Sequence, residues 1–222
     1  MIRLFDIILS VFGIVIISPI LILVSILLFV TGHKIFFTQI RVGQGHKHFN
    51  VFKFTTMSEN AEKIDFNNIS FENDTRYFSF GKILNKTKIN ELPQLFNIML
   101  GDMSFIGPRP LVPETFYNYY TKEAQDTIIK IKPGLSGISS VVFRDEDIIR
   151  SKTTLSNEDF ARQYLFPFKG EIEKWQVMNH TLKNYFLLIG LTIVAILFPK
   201  NQFHKILFKN LPTPPKAIQT LL

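Results

Sequence analysis

Between Ile7 and Val30 the chain runs for 24 residues without a charge, flanked by Arg3 and Asp6 before it and by His33 and Lys34 after it. At about 1.5 Å per residue, a continuous helix of that length crosses a hydrocarbon core of about 30 Å. It is not patterned as a signal peptide. The apolar region is too long, Arg3 is the only basic side chain ahead of it, and no clean small-residue cleavage site follows. Ser18-Pro19 stands at its middle. Proline removes a backbone donor and clashes with the carbonyl four residues back, so a kink or break into two half-helices of about a dozen residues each is expected. Two outcomes follow, a kinked span or a re-entrant hairpin that returns to the face it entered. A span would leave Arg3 and the terminal amine on the far side, whereas basic residues favour the cytoplasm. On physical grounds alone the two stand level.

At 222 residues there is room for one domain, or one domain with membrane elements. A hydrophobic content of 46% with positive mean hydropathy fits a peripheral or singly anchored membrane protein better than a polytopic one. The net charge of +7 favours an anionic partner: lipid head groups, a nucleotide or nucleic acid. With no cysteine in the chain, disulfides, zinc-thiolate sites, iron–sulfur clusters and cysteine nucleophiles are excluded. His46 and His48 flank Lys47, but no third ligand of a metal motif lies near them.

Residues 32–57 carry Lys34, Arg41, Lys47 and Lys53 and no acidic residue, interleaved with Phe36, Phe37, Phe49, Phe52 and Phe54. Gly43-Gln44-Gly45 reads as a turn between strands Ile35–Val42 and His48–Phe54. Basic and aromatic interleaving can mark a single-strand nucleic-acid platform. Directly after a membrane segment it is better read as an interfacial belt on anionic lipid. Residues 58–75 read as a solvated polar loop.

The stretch richest in chemistry is Asn90-Glu91-Leu92-Pro93-Gln94, followed by Gly101-Asp102-Met103-Ser104 and Gly107-Pro108-Arg109-Pro110. Leu92, Leu95, Phe96 and Met99 recur at helical spacing, and Gly101 suits a helix end. Pro93 is tolerated only in the first turn, which makes Asn90 the expected N-cap and Glu91 an exposed first-turn residue. Unpaired N–H groups and the positive dipole end would then make an anion site. Pro108 and Pro110 hold Arg109 on a stiff extended turn, a setting that suits bidentate phosphate recognition.

Further on, 113–131 reads as a polar helical segment, Lys132-Pro133-Gly134-Leu135-Ser136-Gly137 as a turn-rich loop and Ile138–Phe143 as strand-like. The cluster Arg144-Asp145-Glu146-Asp147 either orients Arg144 towards a ligand or is a solvated helix start. Trp175 reads as an anchor in the core or at an interface. Phe186–Pro199 is short for a span and reads as an interfacial or buried helix. The tail from Lys200 to Leu222 reads as loosely ordered.

Taken in order, these residues resemble the monotopic phosphoglycosyl transferases, or bacterial sugar transferases, from Arg3-Leu4-Phe5-Asp6 to about Leu182. The elements that carry the resemblance are the apolar run broken by Ser18-Pro19, Phe37-Thr38-Gln39 with Arg41-Val42-Gly43, and Phe52-Lys53-Phe54 ahead of Met57. Asn90 to Asn97, Gly101 to Ser104, Gly107 to Pro110 and Lys132 to Gly137 complete the set. Each motif is moderately specific; the ordered set is highly specific. The resemblance implies an α+β, mostly helical fold: a re-entrant membrane helix hairpin over 1–33, a cytosolic catalytic domain with a small β-hairpin over 34–182, and an interfacial helix with a tail over 183–222. It implies transfer of a phospho-sugar from a UDP-sugar to undecaprenyl phosphate with release of UMP, at the cytoplasmic face of the bacterial inner membrane. Magnesium, held at Asn90 and Glu91, is the implied cofactor. Membrane lipid is the further partner, nucleic acid is not expected, and a homodimer is compatible.

In the family an aspartate–glutamate dyad stands at Asn90-Glu91, with the aspartate attacking the β-phosphorus. Lys53, Arg109 and Arg144 match positions associated with phosphate, with Pro108 and Pro110 framing the arginine. This chain departs at Asn90, because an amide is a poor nucleophile and a weaker magnesium ligand than a carboxylate. Thr55 also stands where the family usually has a basic residue. Three readings follow: Glu91 is the nucleophile or a general base, the chain is a binding paralogue without turnover, or Asn90 is an engineered substitution. The intact surrounding motifs favour a working or ancestrally working site. Sugar specificity is expected in the loops at 58–75 and 138–165.

Overall fold

The computed structural model describes residues 1–58, 76–144, 146–153, 155–198 and 202–219. Its first element, α1, runs from Ile2 to Val30 as one helix that contains Pro19. Pro19 has no N–H to give the carbonyl of Val15, four residues back. The Ser18 hydroxyl donates to that oxygen instead, at 2.8 Å. Helix α1 is therefore unbroken through Ser18-Pro19. Leu4, Ile8, Phe12, Val15, Ile16, Leu23 and Phe29 are exposed along it, whereas Asp6, Ser10, Val24 and Leu28 are buried.

The rest of the molecule is built against the buried side of α1. Strands β1 (Phe36–Val42) and β2 (His48–Phe54) form the antiparallel hairpin that the sequence pattern predicts, in register Phe36↔Phe54 to Val42↔His48. Gly45 takes φ 64° at its tip, where a side chain would be strained. Helix α2 (Ser79–Lys86) follows, then a 3₁₀ turn at Ile89–Glu91 and helix α3 (Gln94–Leu100), which ends on Gly101 in the left-handed region. Ile14 and Ile17 of α1 pack with Val51, Leu95, Ile98 and Met103. Farther along α1, Val24 and Leu28 pack with Phe54 and Leu84.

Strand β3 (Ser104–Ile106) pairs in parallel with β4 (Gly134–Ser136). Between them, the polar helical segment divides into α4 (Pro113–Tyr119) and α5 (Lys122–Ile128), because Thr121 caps the second helix by accepting from the Ala124 N–H. The strand-like stretch at 138–143 is a helix, α6 (Ile138–Val142). Its β-branched residues favour a strand in isolation, but β4 ends at Ser136 and the Ile138 N–H is bound by a side chain of the helix beneath it, so tertiary context decides. Helices α7 (Glu146–Ser151) and α8 (Asn157–Phe160) lead through a π turn at Ala161–Leu165 into α9 (Phe166–Met178), and α10 (Leu182–Leu197) follows.

The main core joins Ile106, Ile138, Phe143, Phe160, Leu165, Ile172, Tyr185 and Leu188. Helix α10 buries Tyr185, Leu188, Leu191 and Ala195 and exposes Phe186, Ile193, Ile196 and Leu197, so it is apolar on both faces. The tail is better anchored than the sequence predicts. It carries α11 (Phe203–Leu207) and α12 (Lys216–Gln219), and Phe208 and Ile218 are buried in the main core. Trp175 packs edge-on against Phe208 with ring centroids 5.2 Å apart. The described residues are thus mostly helical with two small sheets.

Candidate active site

The site forms where the β-hairpin, the 3₁₀ turn and the Pro-Arg-Pro turn meet. Pairing places Lys53 opposite Phe37 and Arg41 opposite Phe49, so strand alternation brings both cations to one face of the hairpin. Asn97 of α3 fixes the position of that hairpin. Its Oδ1 accepts from the Phe52 N–H at 2.9 Å, and its Nδ2 donates to the Asn50 carbonyl at 2.8 Å. The amide therefore pairs with the outer edge of β2 as a neighbouring strand would, and holds Lys53 beside the turn that carries Glu91.

Glu91 is the hub. Its Oε1 accepts from Lys53 Nζ at 3.1 Å and from Arg109 Nη2 at 3.3 Å. Its side chain is only 14% exposed, which corrects the expectation of an exposed first-turn glutamate. Burial alone would raise the Glu91 pKa; Lys53, then Arg109 and Lys88, outweigh it and hold the carboxyl well below the usual range. Glu91 in turn raises the pKa of Arg109. Burial lowers the Lys53 pKa, with Glu91 opposing it. Arg41 adds a third cation: it donates to the Pro110 carbonyl at 3.3 Å and to Gln39 Oε1 at 2.5 Å. Burial, and then the proximity of Arg109, lower its pKa to about 10. One carboxylate among three cations leaves an excess of positive charge, which suits a diphosphate.

Asn90 is 4% exposed and lies inside the 3₁₀ turn, so it is not the N-cap expected of it; Lys88, at φ 59°, precedes that turn, and Pro93 precedes α3. Asn90 Oδ1 is buried without a hydrogen-bond partner. A buried amide oxygen without a hydrogen-bond partner, on the residue before Glu91, supplies with that carboxylate the small oxygen donor set that magnesium takes when phosphates complete its shell. Among the described residues no group of three or more His, Asp or Glu gathers to hold a metal without such help. The residues present therefore fit a magnesium ion that arrives with a diphosphate.

Pro108 and Pro110 frame Arg109 as the sequence predicts, and their carbonyls are used: Pro108 accepts from the Gly134 N–H at 2.8 Å, Pro110 from Arg41. Gly134 of the 132–137 loop is required by this contact, since a Cβ on it would lie 2.1 Å from the Gly107 nitrogen. Arg144 is not brought into the cluster; it is exposed after α6 and makes no ion pair among the described residues. Its neighbour Glu146 turns instead to Arg150, at 2.8 Å, and to Lys169. The buried hydroxyl of Thr55 has no partner. Residues 59–75 of the expected specificity loop lie outside the described residues, and 138–165 is largely helical.

Sequence reasoning missed Arg41 as a site residue, along with Asn97 and Glu173. Arg41 carried a signal in its spacing from Lys53 across the hairpin. Asn97 and Glu173 carried none, because their partners lie far away in the chain.

A family model described as bacterial sugar transferase matches residues 1–198. Over 140 residues the chain is 35% identical to the UDP-N-acetylgalactosamine-undecaprenyl-phosphate N-acetylgalactosaminephosphotransferase of Aeromonas hydrophila, covering 62% of this chain and 33% of that protein. It is 29% identical over 212 residues to the undecaprenyl-phosphate galactose phosphotransferase of Salmonella typhimurium, covering 88% of this chain and 40% of that protein. With the exopolysaccharide production protein ExoY of Sinorhizobium fredii it shares 31% identity over 159 residues, 65% of this chain and 70% of that protein. The matches thus span about a third to two fifths of the first two relatives and more than two thirds of the third.

Proposed function

The chain belongs to the bacterial sugar transferase family, and we propose that it moves a phospho-sugar from a UDP-sugar to undecaprenyl phosphate, releasing UMP. The observation that carries this reading is the single carboxylate of Glu91 held between Lys53 and Arg109, with Arg41 behind. The activities for which the relatives are named support it.

In this reading Lys53, Arg109 and Arg41 bind the diphosphate and orient its β-phosphorus towards Glu91. The Glu91 carboxylate attacks that phosphorus, the bond to the UMP oxygen breaks, and UMP leaves with the electron pair. A phosphate oxygen of the lipid then attacks the enzyme-bound phosphorus, releasing the carboxylate and forming the lipid diphospho-sugar. Glu91 acts as nucleophile rather than base, because a carboxyl with a depressed pKa is a weak base and an ionised lipid phosphate has no proton to surrender. Asn90 Oδ1 and Glu91 would hold magnesium, which when bound supplies neutralisation of phosphate charge.

Helix α1 is the one described helix long and apolar enough to cross a membrane. In our reading it bends at Ser18-Pro19, entering the inner membrane from the cytoplasmic face and returning to it. Support comes from its two ends: Arg3 binds the carbonyls of Ile98 and Met99, and Leu28 is buried with Phe54 and Leu84, so both ends rest on the same domain. An apolar cleft lined by Leu21, Ile22, Phe36, Phe54 and Phe96 borders the residue after Lys53 and suits a polyprenyl chain.

A second reading, a membrane-bound module that binds the same ligands without turnover, is favoured by one observation, the amide at position 90. The deciding experiment is UMP release by detergent-purified protein with undecaprenyl phosphate, magnesium and a panel of UDP-sugars. Lipid-dependent release supports the transferase. Silence across the panel together with tight UDP binding would support the module.

A further inference from the structure

Behind Arg109 lies a buried polar pair that none of the steps above uses. Glu173 and Gln176, one turn apart on α9, are 1% and 2% exposed. Glu173 Oε1 accepts from the Arg109 backbone N–H at 3.2 Å and from the Ser139 hydroxyl at 2.5 Å. Gln176 Oε1 accepts from the Ile138 N–H at 2.9 Å. The two side chains thus reach two separate segments, the turn that displays Arg109 and the first residues of α6. Those segments are pressed together: a Cβ on Gly137 would lie 2.4 Å from the Gly107 carbonyl oxygen and 2.7 Å from Gln176 Oε1.

A buried carboxyl is costly unless its bonds repay the desolvation, and Glu173 Oε2 has no hydrogen-bond partner. An apolar side chain would fill this space at lower cost. What an apolar side chain would not do is bind the N–H of the arginine that grips Glu91.

We infer that Glu173 is a positioning residue for the phosphate site: with Gln176 it clasps the Gly107–Pro110 turn to α6 and so fixes where the Arg109 guanidinium stands relative to Glu91. Two prolines stiffen the turn internally, and the clasp sets its place in the molecule. Burial pushes the Glu173 carboxyl up to about 7, so a large share is neutral near pH 7 and a glutamine is a close mimic.

The inference rests on the transferase reading for its kinetic consequence, and its structural consequence is independent of it. Glu173→Ala, Glu173→Gln, Arg109→Ala and the double variant Glu173→Ala/Arg109→Ala are compared for kcat/KM with the UDP-sugar that the unmodified chain uses. Glu173→Ala is expected to lower kcat/KM about tenfold or more, and Glu173→Gln to stay within about threefold. In the Arg109→Ala background the same alanine change is expected to add less than about twofold, because the group it positions is gone. Independent, multiplying losses, or a glutamine variant as impaired as the alanine one, would overturn the inference. Amide hydrogen exchange is followed in the same proteins. Peptides containing Arg109 and Ile138 should exchange faster in Glu173→Ala and as in the parent in Glu173→Gln; unchanged exchange in Glu173→Ala would also overturn it. Ser139→Ala, which frees the same carboxyl oxygen, goes through both measurements in case Glu173→Ala does not fold. No turnover in the unmodified chain would count against the transferase reading, while exchange would still decide the clasp.

Discussion

Position 90 is where a single atom type decides the chemistry. The amide of Asn90, the residue before Glu91, is buried with an oxygen that has no hydrogen-bond partner, and a carboxylate of the same shape would fit there. On the transferase reading with Glu91 as nucleophile, Glu91→Gln should lower kcat by about a thousandfold or more. It should also destabilise the empty protein by about 1–3 kcal/mol, because Lys53 and Arg109 lose their counter-charge. Mass spectrometry of the trapped phospho-sugar adduct should place it at position 91 in the parent chain and at position 90 in Asn90→Asp; an adduct on neither residue would remove the covalent step. Glu173 supplies a second residue-level expectation. Burial raises its pKa from 4.5 to about 7, so the folded state retains a proton that the unfolded chain has lost. The stability linked to that proton is complete below pH 4.5 and is lost as pH rises to about 7. The carboxyl is faced by Arg109 from the turn, by Lys169 on its own helix and, through Tyr120, by the end of α4. Glu173→Gln should therefore lose less thermal stability than the parent between about pH 5 and about pH 8, by a few degrees in Tm.

At the scale of elements, α1 is held by its first turns as much as by its apolar length. Asp6 Oδ1 accepts from the Ser104 hydroxyl at 2.9 Å, the Phe105 N–H at 3.1 Å and the Tyr185 hydroxyl at 2.9 Å, tying α1 to β3 and α10. Asp6→Ala strands three buried donors, and a loss of about 2–5 kcal/mol is expected from denaturant unfolding in detergent. In the sequence Asp6 was legible as a charge flanking an apolar run and as part of the stretch where the family resemblance begins, not as a tie to β3 and α10. Its partners are 98, 99 and 179 residues away, and no periodicity reports such distances. The hairpin was legible, because alternation and a glycine turn are local. So were Lys53, Glu91 and Arg109, each within a short motif. What brings them together was not legible: Asn97 on the edge of β2 and Glu173 behind the arginine are long-range contacts made by ordinary polar residues. The segment at 138–143 shows the opposite failure, where local β-branching pointed to a strand and the neighbours decided for a helix.

For the whole molecule, the exposed apolar residues of α1 and α10 leave a large surface that water does not suit. The protein should therefore stay with the membrane through a high-salt wash that releases charge-held proteins. Because the chain has no cysteine, topology can be read cleanly. A cysteine inserted after Met1 and Lys34→Cys should both react with an impermeant maleimide in inside-out vesicles and neither in intact spheroplasts. Labelling of the two sites from opposite sides would establish a span and remove the re-entrant reading.

On the transferase reading, the ion pairs at Glu91 would also act as a safety catch. In this structure the cations that would grip a diphosphate are paired with Glu91, so the carboxylate is neither basic nor free. When a diphosphate arrives it competes for those cations, and the carboxylate becomes more basic and better aimed as they are drawn away. The acid limb of the pH profile should accordingly lie lower for kcat/KM, which reports the free enzyme, than for kcat, which reports the loaded one. Coincident limbs would mean that the catch is never released. A transferase with such a catch would waste little donor on water, because its attacking group would be armed by the substrate it consumes.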